Sequence, residues 1–311
     1  GLELSDYPRL RPLVDTLVRE EGFSEAQLAA VLNQAIWRED VLEALSRPAE
    51  RLPWYRYRPI FVTPERIAEG VGFARENQAV LARAAEQFGV PAPVIAAIIG
   101  VETRYGRHRG RHRVLDSLAT IAASDHRRND FFRDELYHFL LLTREEALPT
   151  TTLPGSYAGA MGIPQFIASS YRRYAVDFDG DGQRDLIDSM ADAIGSVANY
   201  LVEHGWRPGA PMFDRIVLTH PRKVPDDQRL KPERTRAQWE AEGVLWPDDA
   251  VAGSEQAVAL LGFETENGGA WIAAYDNFYA VTRYNHSALY ALAVAELAEA
   301  IRHQLEHPAT H

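Results

Sequence analysis

The segment Ile95-Ala96-Ala97-Ile98-Ile99-Gly100-Val101-Glu102 carries no polar side chain until it ends on a carboxylate. Wound as a helix, it puts Glu102 on the face that also carries Ile95, Ile98 and Ile99. Removal from water disfavours an ionised carboxylate. The pKa of Glu102 is therefore expected to rise, and a carboxyl kept protonated near neutrality serves as a general acid. A second reading of the same spacing pairs Glu102 with Arg104 or Arg107 at the helix end. Pro91-Ala92-Pro93 breaks the chain just before this helix.

Working outward, helical patterns fill most of the first 150 residues. Ser24 can cap the amides of a helix expected to run to about Ser46, with Gln27 reaching back and Phe23 and Leu28 as a staple. Thr63-Pro64-Glu65 repeats the start signal for a helix carrying Ile67, Val71, Val80 and Leu81. Between residues 149 and 164, closely spaced Pro and Gly mark a shaped loop. Helices are expected again at Phe166 to Tyr174, Ala191 to Glu203 and Ser287 to Gln304. From Met212 to Trp271 the pattern breaks into short apolar runs, 215–218 and 257–261 among them, which read as strands of a small inserted subdomain.

The 311 residues suffice for one large core or two to three smaller ones, and 46% hydrophobic with 25% charged residues is the balance of a folded chain. A formal charge of -11 argues against a nucleic-acid binder that relies on general attraction to phosphates. No apolar run approaches the length of a membrane span. The absence of cysteine excludes disulfides, thiolate nucleophiles and Cys-zinc sites. Nothing at the N-terminus reads as a secretory signal, and an opening Gly1 without Met suggests a processed or engineered start.

Asp177-Phe178-Asp179-Gly180-Asp181-Gly182-Gln183 sets carboxylates at alternate positions, with the backbone carbonyl of Gln183 as a further oxygen donor. Hard oxygens in this pattern suit Ca²⁺. The bland reading, a solvated acidic turn, leaves so many regularly spaced like charges uncompensated. The closing position holds Asp188 where a longer Glu is usual, so either Asp188 ligates from a tight loop or Asp192 does from a lengthened one. Such an ion is structural, since the loop offers neither nucleophile nor poised base. No organic cofactor is expected.

Arg104, Arg107, Arg109, Arg111 and Arg113, with Arg127-Arg128 further on, form a basic run beside Glu102 that hints at an anionic ligand. His108 and His112 have the spacing of a zinc pair, but Gly110 lies between them and no His-Glu motif surrounds them. Trp54, Tyr55 and Tyr57 form one aromatic cluster and Tyr279, Tyr284, Asn285 and Tyr290 another. Rings of this kind are usually core, yet clusters at loops also suit sugar faces.

The segments Gly100–Gly106, Ser156–Phe166, the acidic loop, Ala193–Tyr200 and Asn277–Ser287 follow one another over most of the chain. In these residues and in their order the chain resembles the lytic transglycosylase B family of bacterial murein-cleaving enzymes. The resemblance implies a mainly α (α+β) protein, with a lysozyme-like helical core, an N-terminal helical domain and a small β-containing insertion. The corresponding segments are 1–90, a core at 91–211 with the EF-hand-like loop 177–192, a β-containing subdomain at 212–270 and a return to the core at 271–311. It further implies cleavage of the β-1,4 bond between N-acetylmuramic acid and N-acetylglucosamine without water, leaving 1,6-anhydromuramoyl ends.

By that similarity Glu102 is the sole catalytic acid and base. Ser156, Gln165 and Phe166 fall in the substrate groove, as do Tyr57, Tyr200, Tyr284, Asn285 and Tyr290, and Arg127 and Arg128 meet peptide or lactyl carboxylates. The same alignment favours Asp192 over Asp188 as the last ligand beside Asp177, Asp179, Asp181 and Gln183. Ile167-Ala168-Ser169-Ser170 departs from the Met-Pro of many relatives. The lipidated cysteine of anchored relatives is absent, which implies a soluble periplasmic form acting on peptidoglycan strands, with cell-wall synthases as conceivable partners. A hydrolytic muramidase, with Asp116 or Asp125 as second carboxylate, and a non-catalytic peptidoglycan-binding protein are the alternatives.

Overall fold

Apolar residues at helical spacing dominate the chain, and helix dominates the computed structural model, which describes residues 1–47 and 51–309. Two short 3-10 turns lead into α1 (Arg11–Glu21), α2 (Glu25–Gln34), α3 (Glu39–Ser46), α4 (Trp54–Phe61), α5 (Pro64–Glu76), α6 (Gln78–Phe88) and α7 (Ala92–Thr103). The strand β1 (His112–Arg113) precedes α8 (Val114–Ala123) and α9 (Asn129–Glu145), and β2 (Pro154–Gly155) precedes α10 (Ala168–Tyr174) and α11 (Met190–Glu203). There follow β3 (Phe213–Leu218), β4 (Arg234–Thr235), α12 (Arg236–Ala241), β5 (Val244–Leu245), β6 (Ala257–Thr265), β7 (Gly268–Ala274), α13 (Asp276–Asn285) and α14 (Ala288–Glu306). No single helix among the described residues is long and apolar enough to cross a membrane.

The chain divides into two compact units, each made of two stretches: Gly1–Ala49 with Glu102–Ser196, and Glu50–Val101 with Val197–His311. Two of the three internal boundaries fall inside helices, α7 and α11.

The first unit is organised around α8, all of whose residues are buried. A helix buried all round must be wrapped on every side, and α9 and α3 pack against it. Its three polar side chains meet two segments: Asp116 accepts the Ile36 N–H at 2.8 Å and Thr120 Oγ1 the Arg38 N–H at 3.1 Å, while Ser117 Oγ donates to the Ser156 carbonyl at 3.2 Å. These bonds explain a difference from the sequence reading. The helix capped by Ser24 does not reach Ser46 unbroken; it stops at Gln34, because α8 captures the amides of residues 36 and 38, and restarts at Glu39. Glu135 on α9 is also buried, and its carboxylate accepts the Ser169 N–H at 3.2 Å.

In the second unit α14 packs on α13, α5 and α4. The helix expected to join Ile67 to Leu81 is two helices, divided at Asn77, whose side-chain amide donates to the Phe73 carbonyl. The short apolar runs form an antiparallel five-stranded sheet in the order β4-β6-β7-β3-β5. Ile216, Val244, Val258, Trp271 and Tyr275 make its core.

Candidate active site

In α7 every residue from Val94 to Gly100 is buried, so the helix has no solvent face there. What singles out Glu102 is its place in the last turn, where burial gives way and its side chain is half-buried. The adjoining Thr103, 1% exposed, ties that turn down: its hydroxyl donates to the Ile163 carbonyl at 2.7 Å and accepts the Gly106 N–H at 2.9 Å. The chain then reverses through Arg104, Tyr105 and Gly106, at φ 49°, 60° and 91°. Two non-glycine residues in left-handed conformation cost about 1–2 kcal/mol each, a strain that persists only where surrounding bonds enforce it.

Those bonds continue along the segment. The Arg109 guanidinium donates to the carbonyls of Gly106 and Ile187. At Gly110 the backbone touches that of Gly155; a Cβ there would lie 2.0 Å from the Gly155 carbonyl oxygen. Arg113 makes a two-pronged pair with Asp116, at 2.8 and 2.7 Å, and donates to the carbonyls of Thr151 and Gln34. His112 lies 3.1 Å from Asp40. Arg109 and Arg113 of the basic run are thus spent on the protein's own acceptors.

The shaped loop is held as tightly. Ser156 Oγ accepts the N–H groups of Ala158 and Ala160, at 3.2 and 3.0 Å, which leaves its hydroxyl hydrogen to donate. Gln165, at φ 55°, donates from Nε2 to the carbonyls of Arg109 and Gly162. Phe166 exchanges both backbone hydrogen bonds with Met161 and its ring is buried. Gln165 and Phe166 thus shape the loop, and the Thr103 bond to the Ile163 carbonyl ties the turn after Glu102 to it. Arg127 and Arg128 are exposed on the turn between α8 and α9, with Arg128 over the Phe131 ring at 4.7 Å.

In the acidic loop, one oxygen from each of Asp177, Asp179, Asp181 and Asp192 lies within 4.8 Å of the others. Oxygens that ligate one Ca²⁺ at about 2.3–2.6 Å sit no farther apart than about 5 Å, so this donor set fits the ion in spacing and in hardness. Asp192 is fully buried and accepts the N–H groups of Phe178, Asp179 and Asp185; Asp188 points outward and lies 3.9 Å from Arg109. Burial raises the pKa of Asp192. The Gln183 N–H lowers that of Asp181, but desolvation and the charge of Asp179 outweigh it and the pKa rises. The charge of Asp179 adds to both rises. The loop is fastened by Gly162, whose added Cβ would lie 2.5 Å from the Leu186 carbonyl oxygen, and by the Ile163 N–H donated to that same carbonyl at 2.9 Å.

In the second unit the Tyr200 ring stacks on His204 at 3.9 Å and meets Tyr284 edge-on at 4.9 Å, while Tyr284 stacks on Tyr290 at 6.3 Å. Tyr200 donates its hydroxyl to the Arg283 carbonyl, Tyr290 is buried, and Asn285 is exposed at the end of α13. Tyr57 on α4 lies between Trp54 and Phe61.

The family described as the transglycosylase SLT domain matches residues 6–299. The chain belongs to that family. It is 39% identical to the membrane-bound lytic murein transglycosylase B of Escherichia coli, over 97% of this chain and 84% of that protein. The soluble lytic transglycosylase SltB1 of Pseudomonas aeruginosa superposes with a TM-score of 0.88 at 40% identity, covering 96% of this chain and all of that one. The Escherichia coli lytic transglycosylase Slt35 in complex with calcium gives a TM-score of 0.88 at 38% identity, covering 97% of this chain and 95% of that one. The fold is accordingly the lysozyme-like, mainly helical fold of these transglycosylases with a small sheet.

Thr103 and Arg109, which fix the turn behind Glu102 in this SLT-domain chain, escape a reading of motifs. A hydroxyl directly after the last apolar turn is the one local signal for Thr103. For Arg109 there is none, because its acceptors are backbone carbonyls supplied by distant chain.

Proposed function

We propose that this chain is a lytic murein transglycosylase in which Glu102 acts first as acid and then as base. Glu102 gives its proton to the glycosidic oxygen as the C1–O bond breaks, and the substrate's own N-acetyl oxygen shields C1. The muramoyl C6 oxygen then bonds to C1 and its proton returns to Glu102, closing the 1,6-anhydro ring with no water consumed. The observation that carries this reading is a half-buried carboxylate in the last turn of a buried helix, its turn pinned by Thr103.

Glycosidases that use water normally need two carboxylates. Of the two candidates, Asp116 is occupied by Arg113 and the Ile36 N–H, and Asp125 is exposed on the turn after α8. That disfavours the muramidase. The Ser156 hydroxyl, with Gln165 and Phe166 shaping its loop, faces the sugars, Arg127 and Arg128 meet their carboxylates, and Tyr57, Tyr200, Tyr284, Asn285 and Tyr290 contribute to the groove. Asp177, Asp179, Asp181, Asp192 and the Gln183 carbonyl hold a Ca²⁺ that neutralises the loop and takes no part in the chemistry. The site of action is the periplasm.

The test is mass spectrometry of digested murein, in which anhydro ends are lighter than reducing ends by one water. Wild type yields anhydro ends, and Glu102→Gln slows release at least about a thousandfold with unchanged melting. Reducing ends would establish the muramidase, and no release from any murein would establish the binding protein.

A further inference from the structure

The chain holds 33 Lys and Arg residues, and its only two lysines, Lys223 and Lys231, both line one cavity of about 310 Å³ against the sheet of the second unit. Its rim also carries Arg222, Arg229 and Arg234 together with Asp227 and Glu233, and its floor is made by Trp239 and Trp271. Among the described residues no carboxylate lies within ion-pairing distance of Arg222, Lys223 or Lys231, whereas Arg234 is paired with Glu242 at 2.7 Å. Five cations against two carboxylates around one hollow make a local surplus of positive charge in a chain of net charge -11.

The hollow is built rather than incidental. Trp271 on β7 stands opposite Gly262 on β6, where a Cβ would lie 2.9 Å from the indole; glycine lets the ring lie across the neighbouring strand. Gln228, between the two lysines, exchanges both of its amide hydrogen bonds with the backbone of Gly262, at 2.9 and 2.7 Å. That anchors the basic segment along β6. Arg222 lies 5.1 Å from the Trp271 ring centroid and Arg234 4.2 Å from that of Trp239, which orients both guanidinium groups over the aromatic floor.

We propose that this cavity binds the carboxylates of the peptide stems of murein, apart from the sugars that react. The inference rests on the murein reading above. The tryptophan floor accepts the apolar part of a short peptide, and the lysines and Arg222 meet its acidic groups as point charges at the rim.

The experiment uses the full chain with Glu102→Gln, so that substrate survives, and measures co-sedimentation with intact murein and with murein stripped of its stems by an amidase. Adding Lys223→Glu and Lys231→Glu is expected to weaken binding to intact murein about tenfold, the loss of roughly one charge-assisted contact, and to leave binding to stripped glycan unchanged. Arg222→Ala should act in the same direction, and raised salt should mimic both on intact murein only. Equal loss on both polymers, or none on either, overturns the proposal. So does displacement by millimolar inorganic phosphate as effective as that by free stem peptide, which would mark an unselective anion patch. If the parent binds both polymers equally the cavity assignment alone falls; if it binds neither, the murein reading falls as well.

Discussion

The segment that closes behind Glu102 and the acidic loop at 177–192 lie in the same compact unit and are both held by hydrogen bonds, but of opposite character. Directly behind Glu102, Thr103, Gly106 and Arg109 are held on neutral acceptors: the carbonyls of Ile163, Gly106 and Ile187 and the hydroxyl of Thr103. In the acidic loop they are carboxylates, turned inward by the N–H groups of Gly180, Gly182, Asp185 and their neighbours until four of them converge. Neutral bonds add without repelling one another, so the first region is complete once folded. The second gathers like charge as it gains bonds, and needs a counterion for balance. Stability should therefore depend on the ion and turnover on the neutral network.

Chelation gives the largest separation between the two. At calcium about a hundredfold above its dissociation constant the ion contributes roughly 2.7 kcal/mol, so removing it should lower the unfolding free energy by about that much. At a temperature where circular dichroism shows the fold intact, turnover should change less than about twofold. Loss of turnover in the folded, ion-free protein would break the division. Thr103→Val sharpens it from the other side. Without Oγ1 the turn behind Glu102 loosens, and kcat should fall about ten- to a hundredfold at little change in KM. Thr103→Ser should restore it, and neither variant should alter calcium affinity measured by calorimetry.

The smallest effect tests whether unneutralised charge is costly elsewhere in the unit. Burial raises the pKa of Glu135, against a lowering bond from Ser169. A raised folded pKa means that the contribution of Glu135 is intact below the ordinary glutamate range and is lost as pH rises through the folded value. Glu135→Gln keeps an acceptor for Ser169 and removes the titration. Urea unfolding should find the variant equal to wild type near pH 4 and increasingly more stable toward pH 7; a constant difference across that range would refute the assignment.

Much of this was legible in the residues. The caps at Ser24 and Thr63 accept the amides of Gln27 and Arg66 as their spacing implies, and the runs at 215–218 and 257–261 lie in β3 and β6. The break between α2 and α3 was not legible. Nothing between Ala35 and Arg38 is a helix breaker; the amides are drawn away by Asp116 and Thr120, some eighty residues later. Hydrophobic periodicity placed Glu102 on an apolar face, yet α7 has no solvent face until its last turn, so position along the helix matters more than azimuth. For the same reason a ring such as Phe166 or Tyr290 can sit in a recognisable motif and still be buried, because sequence spacing is blind to which rings a distant segment covers.

The two lysines beside the tryptophan-floored hollow carry a practical consequence. A reagent that acylates side-chain amines meets only those two positions in the whole chain, and thiol reagents meet none. Modification rates at Lys223 and Lys231 therefore report on that one surface of otherwise native protein, and a single introduced cysteine would give an orthogonal handle for a second.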